Sequence, residues 1–341
     1  MENKKLAIVG ATGLVGQVAL EILASKKIIP NINVDNILLV ASDRSVGKSI
    51  SFLGKNISVI SIEEAIILKP DYVIMSAGAT LSKEVAPRFV EGGAIVIDNS
   101  SAWRTYPEIP LIVPSIPNSS LDLNMNSGII ANPNCVAIMI AIAIAPFVDM
   151  GIDTISVSVM QSVSGAGYKG INALFEELKI NDGQKYSLSP FVSNIASNII
   201  PATSMSTTVA KYNDEEAKMM FEVPKILNKP IKISSQSNRV PVSRGHSATV
   251  RLTFKDEKSE SDLVSLLKKA PQIKYSEEPL GPYDSVGKDY VIVRSFRQDI
   301  NNPKTFEFFI ASDNLRVGAA YNAVAILGKL LGLYNEKNYS E

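Results

Sequence analysis

Lys5-Leu6-Ala7-Ile8-Val9-Gly10-Ala11-Thr12-Gly13-Leu14-Val15-Gly16 decides the fold. The aliphatic run Lys5 to Val9 reads as a short buried strand, and the glycine-spaced segment turns into a helix that continues to about Ala24. A glycine-rich turn between a first strand and a first helix lets the backbone approach a pyrophosphate, which the helix N-terminus attracts. The spacing is G-x-x-G-x-x-G rather than the stricter G-x-G-x-x-G. Position after a strand and before a helix therefore carries the argument against a purely structural tight turn. Gly10, Thr12, Gly13, Leu14, Val15 and Gly16 become candidate contacts for a dinucleotide.

A strand–helix rhythm continues outward from this turn. Asn36 to Ala41 reads as a second strand, ending in Ser42-Asp43-Arg44-Ser45. The tip of that strand faces the adenosine ribose in nucleotide-binding sheets. Arg44 between Ser42 and Ser45 leans towards a 2′-phosphate, while Asp43 keeps a free 2′-hydroxyl open; a solvated loop is the plain alternative. Asp71 to Met75 is a strand leading into the small-residue turn Ser76-Ala77-Gly78, which can lie against a cofactor. Ala94 to Ile97 is a further strand, and the loop after it carries Trp103 and Arg104. Arg104 is either an anion ligand or a surface arginine beside the only tryptophan.

Ile129-Ile130-Ala131 ends a strand, Asn132-Pro133-Asn134 reads as a turn, and the apolar run Val136 to Val148 as a buried helix. That puts Cys135, the one cysteine of the chain, at or near a helix N-terminus, where unpaired amides and the helix dipole favour a thiolate. A packed structural cysteine is the alternative. After Met150 the texture changes. Thr154 to Val159 alternates as a strand into Gln161-Ser162-Val163-Ser164-Gly165-Ala166-Gly167. Helices are expected over Lys169–Lys179, Asn213–Leu227 and Ser261–Lys269, with an irregular stretch to about Ser206. Strands are expected within Ile231–Phe254 and over Tyr290–Phe296 and Thr305–Ala311, and Asp313 to Asn322 opens a final helix to about Leu333. The one histidine, His246, sits in a glycine-flanked turn within the strand-rich stretch.

Composition bounds the function. At 341 residues the chain is long enough for two domains, at roughly 150 residues each. Lys plus Arg and Asp plus Glu both count 34, with no basic arm, which argues against nucleic acid. One cysteine forms no internal disulfide, as expected of a reducing cytoplasm. Val136 to Val148 contains Pro146, stops at Asp149, and is shorter than the roughly 20 residues that span a bilayer. No metal-spaced Cys/His cluster occurs. The expected molecule is cytoplasmic, with no membrane partner. A thiol joined to a dinucleotide fold suggests an acyl thioester reduced by, or formed with release of hydride to, a nicotinamide, and a histidine can move a proton near neutral pH.

The ordered set Gly10–Gly16, Ser101-Ala102-Trp103-Arg104, Asn132-Pro133-Asn134-Cys135, Gln161 with Ser164-Gly165-Ala166-Gly167, Glu215-Glu216-Ala217-Lys218, Arg239-Val240-Pro241-Val242, Gly245-His246-Ser247 and Asp313-Asn314-Leu315-Arg316 with Asn322 resembles the aspartate-semialdehyde dehydrogenase family over nearly the whole chain. It departs from the family pattern at Val136, Pro224, Ser235–Asn238 and Ala248, none of which removes a proposed catalytic group. The resemblance implies reduction of L-aspartyl 4-phosphate by NADPH, with NAD not excluded, on the route to lysine, threonine and methionine. It implies Cys135 as nucleophile, His246 as acid/base and Gln161 orienting the acyl group. Arg239 would hold the substrate carboxylate, Arg104, Asn134 and Lys218 the phosphate, and Glu215 the substrate amino group or that cluster. Gly10–Gly16, Ser42, Arg44, Ser45, Ser76, Ala77, Gly78, Ser164, Gly165 and Asn322 would form the NADP site. Rivals are a related reductase of N-acetylglutamyl phosphate or an acyl-CoA, and a non-catalytic NADP-binding paralogue. The expected architecture is α/β: a Rossmann-type dinucleotide-binding domain, 1–134, completed by a C-terminal helix, 314–341, plus an α+β catalytic and dimerisation domain, 135–313. By resemblance the chain forms a homodimer or homotetramer.

Overall fold

The computed structural model describes residues 1, 3–117, 119, 127–180, 186–201 and 206–335. The chain forms two compact units, Met1–Asn134 with Ala319–Glu341, and Cys135–Gly318.

In the first unit β1 (Leu6–Val9) is followed by α1 (Leu14–Ala24) and β2 (Ile37–Val40). Then come β3 (Ser49–Phe52), β4 (Lys55–Ile60), α2 (Ile62–Ile67), β5 (Tyr72–Met75), α3 (Ala79–Glu91), β6 (Ile95–Asp98) and β7 (Ile129–Ala131). The sheet order is β3-β4-β2-β1-β5-β6-β7. Every pairing is parallel except that of β3 with β4. β1 is fully buried, as a strand covered on both faces must be. The chain winds outward in both directions from β1 and β5, the point where such sheets bind ligands at their carboxyl ends. The β3–β4 hairpin falls in a stretch to which the sequence assigned no element. Its turn uses Leu53 and Gly54, both at positive φ (48° and 81°), a conformation that two-residue hairpins favour but that aliphatic periodicity does not announce.

The C-terminal helix spans Tyr321–Leu330 and packs on α1, β5 and β6. The first unit takes the chain back at Ala319 rather than at 314, because the preceding residues belong to the second unit by their bonds. Asp313 Oδ2 pairs with Arg244 Nη2 at 2.8 Å, and Asn314 Oδ1 accepts from the Gly245 amide at 3.0 Å.

The second unit opens with α4 (Cys135–Ile144), in which every residue from Val136 to Ile144 is buried. It continues through β8 (Ile152–Gln161), α5 (Gly167–Glu177), β9 (Ile200–Pro201), α6 (Asp214–Leu227), β10 (Lys232–Arg239), β11 (His246–Phe254), α7 (Glu260–Lys269), β12 (Ile273–Ser276), β13 (Val291–Gln298) and β14 (Thr305–Ser312). The sheet is mixed, in the order β12-β13-β14-β11-β8-β10-β9. α4 packs on β13, β14 and α6. Beside it Phe147, Phe254, Phe296 and Phe306 form an aromatic cluster with centroid separations of 5.4–6.2 Å. Period-2 alternation gives the sheet one apolar face and one polar face. Ile155, Val157 and Val159 are buried, whereas Ser156 and Ser158 are exposed.

Two glycines make the first turn possible. Gly10 has φ of 86°, and a Cβ on Gly16 would sit 2.3 Å from the Gly10 carbonyl oxygen. A Cβ on Gly78, by contrast, would meet nothing within 4 Å. Gly16→Ala is therefore expected to destabilise by about 1–3 kcal/mol and Gly78→Ala to be nearly neutral, as read from paired denaturation midpoints.

Candidate active site

The register of the second sheet brings the predicted residues to one end. β8 and β10 run parallel with Gln161 opposite Arg239, so both close their strands together. β11 runs antiparallel to β8 with Ser247 opposite Met160, which starts His246 at that same end. His246 is thus the first residue of a strand, paired with Ser312, and not in a turn; Gly245, at φ of 92°, makes the turn before it.

α6 adds the acidic partner. Its capping box joins Asn213 and Glu216 reciprocally, and Glu216 Oε1 also accepts from the Ser237 amide of β10 at 3.0 Å. With that end pinned to the strand, Glu215 reaches Gln161, whose Nε2 donates to Oε2 at 2.9 Å. Lys218 donates to the other Glu215 oxygen. The Glu215–Lys218 pair is more than the solvated i,i+3 pair its spacing alone allows, since both side chains are only 25% exposed.

Arg239 donates from Nη1 to the Ser162 carbonyl at 2.8 Å, and its guanidinium lies 5.9 Å over the Phe191 ring. Burial lowers its pKa, while the charges of Glu215 and Cys135 act the other way. Cys135 is partly exposed at the first position of α4, and a Cβ on Gly318 would fall 2.7 Å from its own Cβ. The thiol is therefore not walled into apolar packing, and bare backbone at Gly318 is what seats it.

His246 is buried. Its Nδ1 accepts from the Ser162 amide at 3.1 Å and lies 3.0 Å from Ser162 Oγ. Burial, then the Arg239 charge, push its pKa down to about 3 against a smaller opposite pull from Glu215. Nε2 has no hydrogen-bond partner among the described residues. Ser164 and Gly165, expected at the cofactor, belong to this unit: Ser164 Oγ bonds Asn314 Oδ1 at 3.1 Å, and Gly165 is exposed beside Arg239 and His246.

In the first unit Gly10, Thr12, Gly13, Ser42, Ser76 and Ala77 line a cavity of about 580 Å³ at the carboxyl ends of β1, β2 and β5. Asp43, Glu63, Glu84 and Arg88 line it too, and the last three were not foreseen. The Gly10 carbonyl lies against α1, and a Cβ on Gly10 would sit 2.4 Å from Ser76 O, so backbone alone shapes this floor. These features fit a dinucleotide pyrophosphate at the start of α1. Leu14, Val15 and Gly16 open α1, Arg44 and Ser45 lie in a 3₁₀ turn, and Gly78 caps α3.

Arg104 is buried, not a surface residue; it donates to Asn132 O at 3.0 Å and Asn99 O at 2.7 Å. Asn134 is buried at the end of the same turn. Asn322 is buried with its Nδ2 on Ile112 O at 2.8 Å and Asn132 Oδ1 at 2.6 Å. Its amide nitrogen thus braces the segment before Cys135. Phe191, Ser162, Gly318 and Asn314 were missed as site residues. Ser162, Asn314 and Gly318 lie inside stretches already noted, whereas Phe191 left no signal in the sequence. Among the described residues no group of His, Cys, Asp and Glu could hold a metal ion, and no helix is long and apolar enough to cross a membrane.

Comparison with known proteins bears on this geometry. Residues 5–123 match the semialdehyde dehydrogenase NAD binding domain, and residues 144–317 the semialdehyde dehydrogenase dimerisation domain. Aspartate-semialdehyde dehydrogenase of Legionella pneumophila is 37% identical over 330 residues, 94% of each chain. That of Aquifex aeolicus is 37% identical over 332 residues, 94% of this chain and 96% of the relative. The crystal structure of aspartate semialdehyde dehydrogenase II from Vibrio cholerae complexed with ASA is 35% identical, with a TM-score of 0.91 over 98% of this chain and 100% of that one. The chain belongs to the aspartate-semialdehyde dehydrogenase family.

Proposed function

We propose that this chain reduces L-aspartyl 4-phosphate to L-aspartate 4-semialdehyde and phosphate with NADPH, through a thioester on Cys135, in lysine, threonine and methionine biosynthesis. The observation that carries the reading is the convergence of Gln161, Glu215, Lys218, Arg239 and His246 at one end of one sheet, in the unit that Cys135 opens at the head of α4.

The Cys135 thiolate, favoured by the α4 N-terminus and the nearby guanidinium, attacks the acyl carbon, and the C–O bond to phosphate breaks. Arg239 holds the substrate α-carboxylate in the bidentate geometry of a guanidinium, and Phe191 limits where that head group can go. Gln161 and Glu215, bonded to each other, orient the acyl group and the substrate amino group. Lys218 serves the phosphate. NADPH supplies the hydride when bound. His246 serves the acyl oxygen, which takes up negative charge as the hydride arrives.

For the cofactor, Ser42 lining the first-unit cavity and the exposed Arg44 next along support a 2′-phosphate, although Asp43 lines the cavity as well. The polar face of the second sheet supports a homodimer. Arg251, Arg294, Arg297, Glu307 and Phe309 there border a groove of about 810 Å³.

Phosphate-dependent NADP reduction with aspartate semialdehyde should fall at least about 10⁴-fold in Cys135→Ala; full activity in that variant would end the thioester account. Acetylglutamate semialdehyde and acyl-CoA donors run in parallel should give little turnover. Arg44→Ala should raise KM for NADP while leaving KM for NAD unchanged, and an equal rise for both would reassign the loop. Light scattering coupled to size exclusion should give a dimer mass, with a tetramer as the competing outcome.

A further inference from the structure

We infer that Glu177, at the end of α5, is a positioning residue for the substrate clamp. It pins the segment from Phe191 to Pro201 so that the Phe191 ring covers one face of the Arg239 guanidinium and leaves its edge for a carboxylate. The inference rests on the role given to Arg239 above.

The end of α5 is inverted with respect to water. Phe175 and Leu178 are 50% and 60% exposed, whereas Glu177 is 6% exposed. Glutamate is seldom buried unless it is paired, so an acid in this place needs a local reason. Its Oε2 accepts from the amides of Ile195 and Ala196 at 2.6 and 3.0 Å. Two successive amides converging on one carboxylate oxygen, out of water, make strong charge-assisted bonds. Oε1 is buried with no partner among the described residues, so those two amides are what the acid holds.

The amides belong to a turn that is weakly held by its own bonds. The Asn198 amide donates to the Ile195 carbonyl at 3.1 Å and closes the turn around Ser197, whose φ is 56°. A residue with a Cβ adopts that left-handed conformation infrequently. Further along, β9 has only Ile200 and Pro201, opposite Arg239 and Asn238, and a pairing of two residues is too short to hold a segment by itself. Glu177 supplies the missing anchor from α5.

The segment so anchored meets the clamp twice. Ile200 lies opposite Arg239 in the pairing of β9 with β10, and the guanidinium carbon lies 5.9 Å from the Phe191 ring centroid. Phe191 packs against an apolar cluster of Val163, Leu174, Ile195 and Ile200. Val163 follows Ser162, whose carbonyl accepts from Arg239 Nη1 at 2.8 Å. Ring face and carbonyl together fix the plane of the guanidinium. A planar fork fixed in that way directs its remaining N–H groups along the plane, the bidentate geometry a carboxylate matches. The ring also keeps water off one guanidinium face, which strengthens the attraction for an anion at the edge. Glu177 acts through Phe191 and not by contact with the substrate.

Steady-state kinetics of phosphate-dependent NADP reduction with aspartate semialdehyde test this in Glu177→Ala and Phe191→Ala. KM for the aldehyde should rise roughly 5- to 30-fold in both, while kcat and KM for NADP stay within about 2-fold of the wild type. A glutamate that only stabilised the fold would lower the active fraction, and with it kcat, at unchanged KM; that result overturns the inference. The double variant should be no worse than either single one, because both act through one contact, and additive rises in KM overturn the inference as well. 3-Aminopropanal, the same aldehyde without its carboxylate, gives a second readout. The wild-type preference for aspartate semialdehyde over it should shrink in Glu177→Ala by the factor seen in KM, and an unchanged preference counts against the clamp. If Glu177→Ala does not fold, Glu177→Leu fills the space without an acceptor and carries the same expectations. A wild type that turns over neither aldehyde ends the underlying reading. A wild type active on aspartate semialdehyde whose KM survives loss of the Glu177 carboxylate ends this inference alone.

Discussion

The site depends on the register of three strands. β8, β10 and β11 are locked by continuous ladders over eight paired residues in β8–β10 and seven in β8–β11, and the pairing alone decides that Gln161, Arg239 and His246 finish or begin at one edge. A slip of one residue would send each of these side chains to the other face of the sheet. The same slip would turn Ile155, Val157 and Val159 out of the core, so the hydrophobic core enforces the catalytic geometry. Packing and chemistry are one constraint here.

Electrostatics then work within that frame. Arg239 is half-buried and His246 buried, and each is compensated by the same small segment: the Ser162 carbonyl accepts from the guanidinium and the Ser162 amide donates to the imidazole. One peptide-flanked residue thus faces a cation and a neutral ring with opposite ends of its backbone dipoles. Asp313, wholly buried, anchors the opposing loop by accepting from Arg244 Nε at 3.0 Å and from the Gly287 and Leu315 amides at 2.8 and 3.0 Å. A buried carboxylate with that many donors is a fixed point, and Asn314 beside it inherits the fixity.

The sequence made the local elements legible because their signals are local. The turn from Gly10 to Gly16, the start of α4 at Cys135 and the period of α6 all follow from neighbours within a few residues. It also supplied the residues that gather in the second unit, through an ordered family pattern rather than through periodicity. What it withheld depends on distant pairing. The short β12, the placement of His246 on a strand, and the role of Asn322 within the first unit are settled by partners far along the chain. Phe191 over Arg239 lies in a stretch of Ser, Asn, Ile and Pro with no period at all. Glu177, buried with Oε2 accepting from the Ile195 and Ala196 amides at 2.6 and 3.0 Å, holds that stretch and reads in sequence as an ordinary helix-surface acid.

α4 is apolar on every side, which carries a consequence for biogenesis. Residues 136–144 emerge during translation well before β13 and β14, the strands that cover them, have been made. Until more than 160 further residues follow, as the span from Ile144 to Ser312 requires, this segment has only α6 of its native neighbours to bury against. A nascent chain in that interval exposes its stickiest helix. The nucleophile at its head is therefore among the last features to be assembled, and a polypeptide interrupted before β14 should be a client for chaperones rather than a partly active enzyme.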